Sequence, residues 1–591
     1  MPSRSDSRPK PPGLSPGFPT IAGVGVEGIR MRNNRGRSGQ PVAWAAAIAV
    51  AAAVAATALV VVRPGGSTDG LAGVNPAQLA ALTATTPSPT TSTSTSPSTT
   101  TSQDPVTSEP PSTTTSTDRP VTLLRVAVSQ LPEDSEPMIA AGVAPLVTSQ
   151  VYDTLTALTA DQTSVVPGLA EDWEMNAAGS EWTLHLRSGV SFHDGTPLTP
   201  AVVCANFQHW SSLPKDKQGD AFDWQYYFGG FAGDQAMTYR NCATDGDDTV
   251  RLSFSAAQPY LPAILALPTF GIAAPSTLAG GPPVGTGPYR FTSGDSTSAV
   301  LTATGQAQVG RIEFRQIADH QAAAQAVAAG EVDLAGPMSE PVRSTSTPVR
   351  YGTASGVEML IVDQTPGRPL ADPKVREAVT AALDTQQLSK IVPGTEPVGT
   401  VLPPLLTGGT PLGEPAKADP AHAKQLLAGK PAPTLVLLAP AYRAATEQQL
   451  AQAVAAQLKN VGVKVDLKLA KDVNEYLDAY DGKTHADLIL ASPRTYSVDP
   501  IDYLDGITSF ANAQDKAAPW RSAYDKLVQR VQDDSDPEQR VRAAVEGGEL
   551  MVSKGGVIPL TTRSRTWIVS KDLTVEPGGL DYFPLSGVTL G

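Results

Sequence analysis

From about residue 121 onward the hydrophobic and polar positions follow two clear periods; before it they follow neither. Residues 122–128 (TLLRVAV) form an apolar run of strand length, and residues 182–187 set Trp, Leu and Leu against Thr, His and Arg at period two. Residues 434–439 predict a buried strand. Residues 446–461 predict a helix with Leu450, Val454, Leu458 and Val461 on one face; Gly462 closes it, and 463–469 alternate again as a strand. That is a β-α-β unit, followed by a helix over 473–480 and a strand over 486–491. Asp372-Pro373 reads as a helix start, an N-cap before a Pro at the first helical position, with Val375, Ala378, Val379, Ala382 and Leu383 as the apolar stripe behind it. Strands alternating with helices predict α/β layers in more than one lobe, and no internal repeat is visible.

Two segments ahead of residue 121 break this pattern. Residues 42–62 (VAWAAAIAVAAAVAATALVVV) carry no charge over a length that spans a bilayer core. Basic residues precede this run, and beyond Arg63 none follows until Arg119, so the positive-inside rule puts the N-terminus in the cytoplasm. The alternative is a cleaved secretory signal with Ala56-Thr57-Ala58 as a weak site, which would leave an apolar Leu-Val-Val-Val start. The expected layout is a cytoplasmic basic disordered tail over 1–41, a transmembrane signal-anchor helix over 42–62 and a disordered linker over 63–119. No cysteine follows the apolar run, which excludes a lipid-modified N-terminus there. Within the linker, 30 of the 35 residues from 83 to 117 are Ser, Thr or Pro, a composition that cannot bury enough apolar surface to fold. At about 3 Å per residue it reaches roughly 100 Å.

Charge sharpens this division. The chain has 591 residues and a formal net charge of -14. Residues 1–41 hold seven basic side chains against Asp6 and Glu27, a net of +5, whereas 36 bases face 56 acids beyond Arg63, about -20. An acidic body argues against nucleic acid as a partner. Gly23–Gly28 matches GxGxxG and Gly13–Gly17 matches GxSxG, but both lie in the tail without strand or helix context, and Pro16 would block a nucleophile elbow. The six histidines show no HxxxH or HExxH spacing, Asp245-Gly246-Asp247-Asp248 reads as a charged turn, and no cofactor or metal is expected. No nucleophile–base pattern supports a hydrolase. Cys204 and Cys242 lie in a body expected outside the membrane, where they either pair or remain as two buried thiols; a structural bridge is the expectation.

Three stretches carry a family likeness. Residues 166–173 (VPGLAEDW) run on through EWTLHLRSGVSFHDGTPLTP to Pro200; residues 283–291 read PVGTGPYRF; residues 372–384 read DPKVREAVTAALD. In order and spacing they resemble the family 5 extracellular solute-binding proteins of ABC importers, the oligopeptide-, dipeptide- and nickel-binding class. The resemblance implies a two-lobed periplasmic-binding-protein-like α/β fold of type II with an inserted domain. Lobe I would comprise 120–155, 284–355 and 557–591, the inserted domain 156–283 and lobe II 356–556, with hinge crossings near 355 and 556. It also implies a non-enzymatic, monomeric protein that closes on a peptide or peptide-like solute and docks on a membrane permease. The alternative within the same fold is an extracytoplasmic sensor or regulatory scaffold in cell-envelope synthesis that feeds no transporter.

One departure bears on the ligand. Peptide-binding relatives commonly carry a Trp and, shortly after, an Asp that pairs with the peptide's α-amine in the loop following the strand at 486–491. Here that loop reads ASPRTYSVDP, with Pro493 where the Trp would stand and Tyr496 near the expected Asp. Arg494 favours an anionic or sugar-like group, and Asp499 or Asp502 could replace the missing acid. Arg494, Tyr496 and Asp499 are therefore the expected cleft residues. Trp224, Tyr226 and Tyr227 are candidates for stacking on the solute, or else core.

Overall fold

The computed structural model describes residues 121–590 apart from 306, 339–346, 410–412, 442–444, 481–482, 502, 505–506 and 508–517. The expected tail, membrane span and linker all lie outside the described residues. No helix among the described residues is long and apolar enough to cross a membrane.

Three sheets organise the chain. A seven-stranded sheet runs in the order Val349–Tyr351, Thr566–Val569, Leu334–Met338, Leu124–Val128, Arg311–Gln316, Ser298–Ala303, Tyr289–Gly294. Its central strand, Leu124–Val128, is parallel to both neighbours and covered on both faces, which is why it reads as an apolar run rather than an alternation. A five-stranded sheet runs Lys464–Ala470, Thr434–Pro440, Leu488–Ala491, Gly356–Val362, Val557–Arg563. Thr434–Pro440 pairs in parallel with Lys464–Ala470, and the helix Ala445–Asn460 connects them as the expected β-α-β unit. The third sheet is antiparallel and four-stranded: Ala170–Met175, Glu181–Leu186, Thr249–Phe254, Tyr239–Asp245. It alternates as the sequence predicts, with Trp182, Leu184 and Leu186 turned into a core against Val203, Phe207 and Trp210 of the helix Pro200–Ser211. Thr199 caps that helix by accepting a hydrogen bond from the Val202 amide, and Asp372 caps Pro373–Ala382 in the same way through Lys374. A disulfide joins Cys204 on the helix to Cys242 on the edge strand Tyr239–Asp245.

One boundary is corrected. Residues 557–563 were expected in lobe I, yet Val557–Arg563 pairs antiparallel with Gly356–Val362 and belongs to the five-stranded sheet. The physical reason is burial. Gly356–Val362 is buried at every position and needs a partner on that edge, and six of the seven residues of Val557–Arg563 are buried too. The return crossing therefore falls at residues 564–565.

Two of the likeness-bearing stretches pack on each other. The His193 amide donates to the Gly285 carbonyl at 2.9 Å, and its ring Nε2 lies 2.9 Å from the Gly287 carbonyl oxygen. Burial holds the imidazole below its usual range, which suits a neutral ring bonded to a carbonyl. Gly285 is required by close approach, since a Cβ there would lie 2.1 Å from the Val151 carbonyl oxygen. His193 is thus a clamp between the Asp194 turn and the strand entry at Tyr289.

Candidate functional site

Two connectors join the seven-stranded and five-stranded sheets. The outgoing one covers residues 352–355, between Val349–Tyr351 and Gly356–Val362; the return is 564–565, between Val557–Arg563 and Thr566–Val569. They run side by side: the Ser355 amide donates to the Arg563 carbonyl at 3.0 Å and the Gly352 amide to the Arg565 carbonyl at 3.2 Å. A two-stranded connection of this kind restrains the lobes while leaving the few connecting dihedrals free to turn.

The loop after Leu488–Ala491 lies against these connectors. The Thr495 amide donates to the Ser355 carbonyl at 2.8 Å, the Val357 amide to the Pro493 carbonyl at 3.3 Å, and Arg494 bridges Gly356 in antiparallel register. Gly356 makes this possible, because a Cβ there would come within 2.6 Å of the Pro493 carbonyl oxygen. The backbone therefore pins Arg494 at the junction of the two sheets.

Four arginines converge on this region, and three are neutralised by acids. Arg563, at the end of its strand, directs Nη1 to Glu358 Oε1 at 2.9 Å and Glu447 Oε1 at 2.6 Å. Ser492 donates its hydroxyl to Glu358. Arg565 makes a two-point ion pair with Asp581. Arg540, from the helix Pro537–Ser553, holds Asp499 Oδ2 through Nε at 3.0 Å and Nη2 at 2.6 Å. Arg494 donates Nη2 to the Ser355 hydroxyl at 2.9 Å, and no carboxylate among the described residues lies within ion-pair distance of it. Burial first, and then the charge of Arg565, pushes its guanidinium down to about 9, with Asp581 opposing. It remains a cation at neutral pH.

The expected site residues thus separate. Arg494 and Tyr496 meet at the junction: Arg494 is half-buried, and Tyr496 is 50% exposed. Asp499 is in the same loop, but its carboxylate is 4% exposed and engaged by Arg540. Trp224 is corrected to a core residue. It is fully buried, gives its indole N–H to the Gly230 carbonyl at 3.0 Å and packs among Phe207, Trp210, Phe228 and Tyr239. Tyr227 is buried with it, and Tyr226 is half-buried and stacked on Phe222. These side chains stand on one short helix, Phe222–Phe228, whose inward face joins the hydrophobic core beneath the four-stranded sheet.

The network around Arg563 escaped the motif reading. Its one sequence signal is Glu358, an acid inside an otherwise apolar strand (GVEMLIV); a carboxylate 2% exposed requires a partner, and Arg563 stands on the adjoining strand. Among the described residues no group of three or more His, Cys, Asp or Glu is placed to hold a metal ion.

Two α/β lobes, each with its own core, joined by paired connectors beside a charged junction, define the class: a two-lobed solute-binding architecture. The model of the bacterial extracellular solute-binding proteins, family 5, matches residues 164–515, and the chain belongs to that family. It is 25% identical over 447 residues to a protein of Salmonella typhimurium named as the glutathione-binding protein GsiB, covering 69% of this chain and 82% of that one. Among solved structures, the unliganded open form of the periplasmic murein tripeptide-binding protein MppA superposes with a TM-score of 0.68 at 20% identity, over 80% of this chain and 99% of the other. The Helicobacter pylori binding protein DppA, solved with the peptide STSA, gives 0.57 at 18% identity, over 80% and 98%. Such likenesses at low identity establish the fold, and the relatives named are binding proteins rather than enzymes.

Proposed function

We propose that this chain is the solute-binding component of an ABC importer, taking a peptide or peptide-like solute between its lobes and delivering it to a membrane permease. The observation that carries the reading is the junction itself, where paired connectors meet a loop whose Arg494 and Tyr496 are held at the meeting of the sheets. The glutathione, tripeptide and peptide named for the relatives support the substrate class. Lobe closure would bury the solute, and the permease would distinguish closed from open forms. The apolar run 42–62 and the basic tail before it support a single-pass anchor, with the described body extracytoplasmic on a Ser/Thr/Pro-rich tether.

A second reading, a sensor or scaffold in cell-envelope synthesis, is favoured by one observation: Asp499, one of the two acids expected to serve a peptide amine, is engaged by Arg540; the other, Asp502, lies outside the described residues. Native mass spectrometry of the full chain, purified in mild detergent, separates the two. A co-purifying solute displaced by a peptide series supports import. A chain that no peptide mixture stabilises against heat, and that captures a cell-envelope enzyme, refutes it.

A further inference from the structure

The acids at the lobe junction are shared unevenly among its arginines. Arg563 serves two buried carboxylates, Arg565 holds both oxygens of Asp581, and Arg540 holds Asp499. Arg494 alone of the four has only a hydroxyl, on Ser355, among the described residues. A guanidinium has five donors in a planar fork that matches a carboxylate at two points. Half-burying that fork beside Arg563 and Arg565 is unfavourable, and Asp581, already paired with Arg565, offsets it only at a distance. The backbone nonetheless fixes it there, through Thr495, Val357 and the bridge to Gly356. The nearby acids cannot turn to it without abandoning Arg563 or Arg565. Beside it stands Tyr496, one of three large hydrophobic side chains exposed among the described residues; a second, Tyr351, adjoins the outgoing connector.

We propose that Arg494 is the receptor for an anionic group of the solute, a carboxylate bound through its planar fork, with the Tyr496 ring covering the bound group. This rests on the solute-binding reading above and narrows it to solutes that carry a carboxylate. The solute is selected by that group, since Asp499 in the same loop is already held by Arg540.

The test uses the full chain in detergent and two probes, a pool of tripeptides with free C-terminal carboxylates and the same pool as C-terminal amides. Binding is followed by thermal shift and calorimetry for the native chain, Arg494→Met, Arg494→Lys and Tyr496→Ala. The expected result is that the acid pool binds the native chain roughly 10- to 100-fold more tightly than the amide pool. Arg494→Met should erase that preference, and Arg494→Lys, a point charge without the fork, should keep part of it. Arg494→Met should also melt no lower than the native chain without solute, since it removes an uncompensated cation; a purely structural arginine would lower it. If both pools bind equally, or Arg494→Met still discriminates, the anion receptor is overturned while solute binding stands. If neither pool binds the native chain, the peptide reading falls, and this proposal with it.

Discussion

The pair Asp499–Arg540 separates a structural acid from a ligand-binding one. Both side chains are almost wholly buried, at 4% and 2% exposure, and the guanidinium reaches Oδ2 from two nitrogens at 2.6 and 3.0 Å. Each partner is also tied to the backbone: Asp499 Oδ1 accepts from the Ile501 amide at 3.1 Å, and Arg540 Nη1 donates to the Asp534 carbonyl at 2.9 Å. Asp499→Asn preserves shape and the bond from Ile501 but leaves a buried guanidinium uncompensated. Breaking one side of such a pair costs about 3–5 kcal/mol. For a lobe of some 200 residues, each 1 kcal/mol lowers the melting point by about 2–4 °C, so the expected drop is on the order of 10 °C. Arg540→Met should cost a similar amount. The double variant Asp499→Asn with Arg540→Met should lose less than the sum of the two single variants, because no charge is then stranded. Differential scanning calorimetry of the four chains, with and without the tripeptide pool, reads these effects. An Asp499→Asn variant that melts within a degree of the native chain, yet no longer binds the pool, would refute the reasoning and make Asp499 a ligand group.

Further outcomes follow from the same structure. Replacing Cys204 and Cys242 by Ser opens a loop of 38 residues and should cost about 4 kcal/mol, read as early unfolding around the four-stranded sheet by tryptophan fluorescence. Gly285→Ala places a methyl against the Val151 carbonyl and should lower the melting point or the yield of folded protein, with no selective effect on solute affinity. His209 hydrogen-bonds the buried Glu136 carboxylate at 3.0 Å, and that bond holds the imidazole above its usual range. The stabilisation is therefore complete below the unfolded value of about 6.5 and is lost as pH rises through the folded one. The melting-point advantage of the native chain over His209→Gln should be larger at pH 5.5 than at pH 8, and a pH-independent difference would contradict it. Trp224→Ala should cost about 3–5 kcal/mol through a core cavity while leaving the solute affinity of the folded fraction unchanged.

Much of the fold was legible because its signals are local. The β-α-β unit around the helix Ala445–Asn460 follows from periodicity and a closing glycine, and its edges shifted by a residue or two. The caps at Thr199 and Asp372 are each set within three residues of chain. The strand Val557–Arg563 was misplaced because its membership depends on a partner some 200 residues away, and a buried run carries no mark of which sheet it joins. The site divides in the same way. Arg494 and Tyr496 stand out in the loop by residue type and position. That Asp499 is occupied follows from Arg540, 41 residues on, and that Trp224 is core follows from the faces its short helix presents.

The sequence alone determined the layout: an apolar run behind a basic stretch, a Ser/Thr/Pro-rich segment, and an acidic α/β body carrying the marks of family 5. Composition and short-range periodicity decide these features, because each depends on residues within one turn, strand or span. Only the tertiary structure decided which charges remain available. Glu358, Glu447, Arg563, Arg565, Asp581, Asp499 and Arg540 come from distant strands, helices and loops, and the close packing at the lobe junction pairs them. Pairing is a property of distance in space, so the sequence shows the arginines but cannot show that Arg494 is the one that has only a hydroxyl among the described residues.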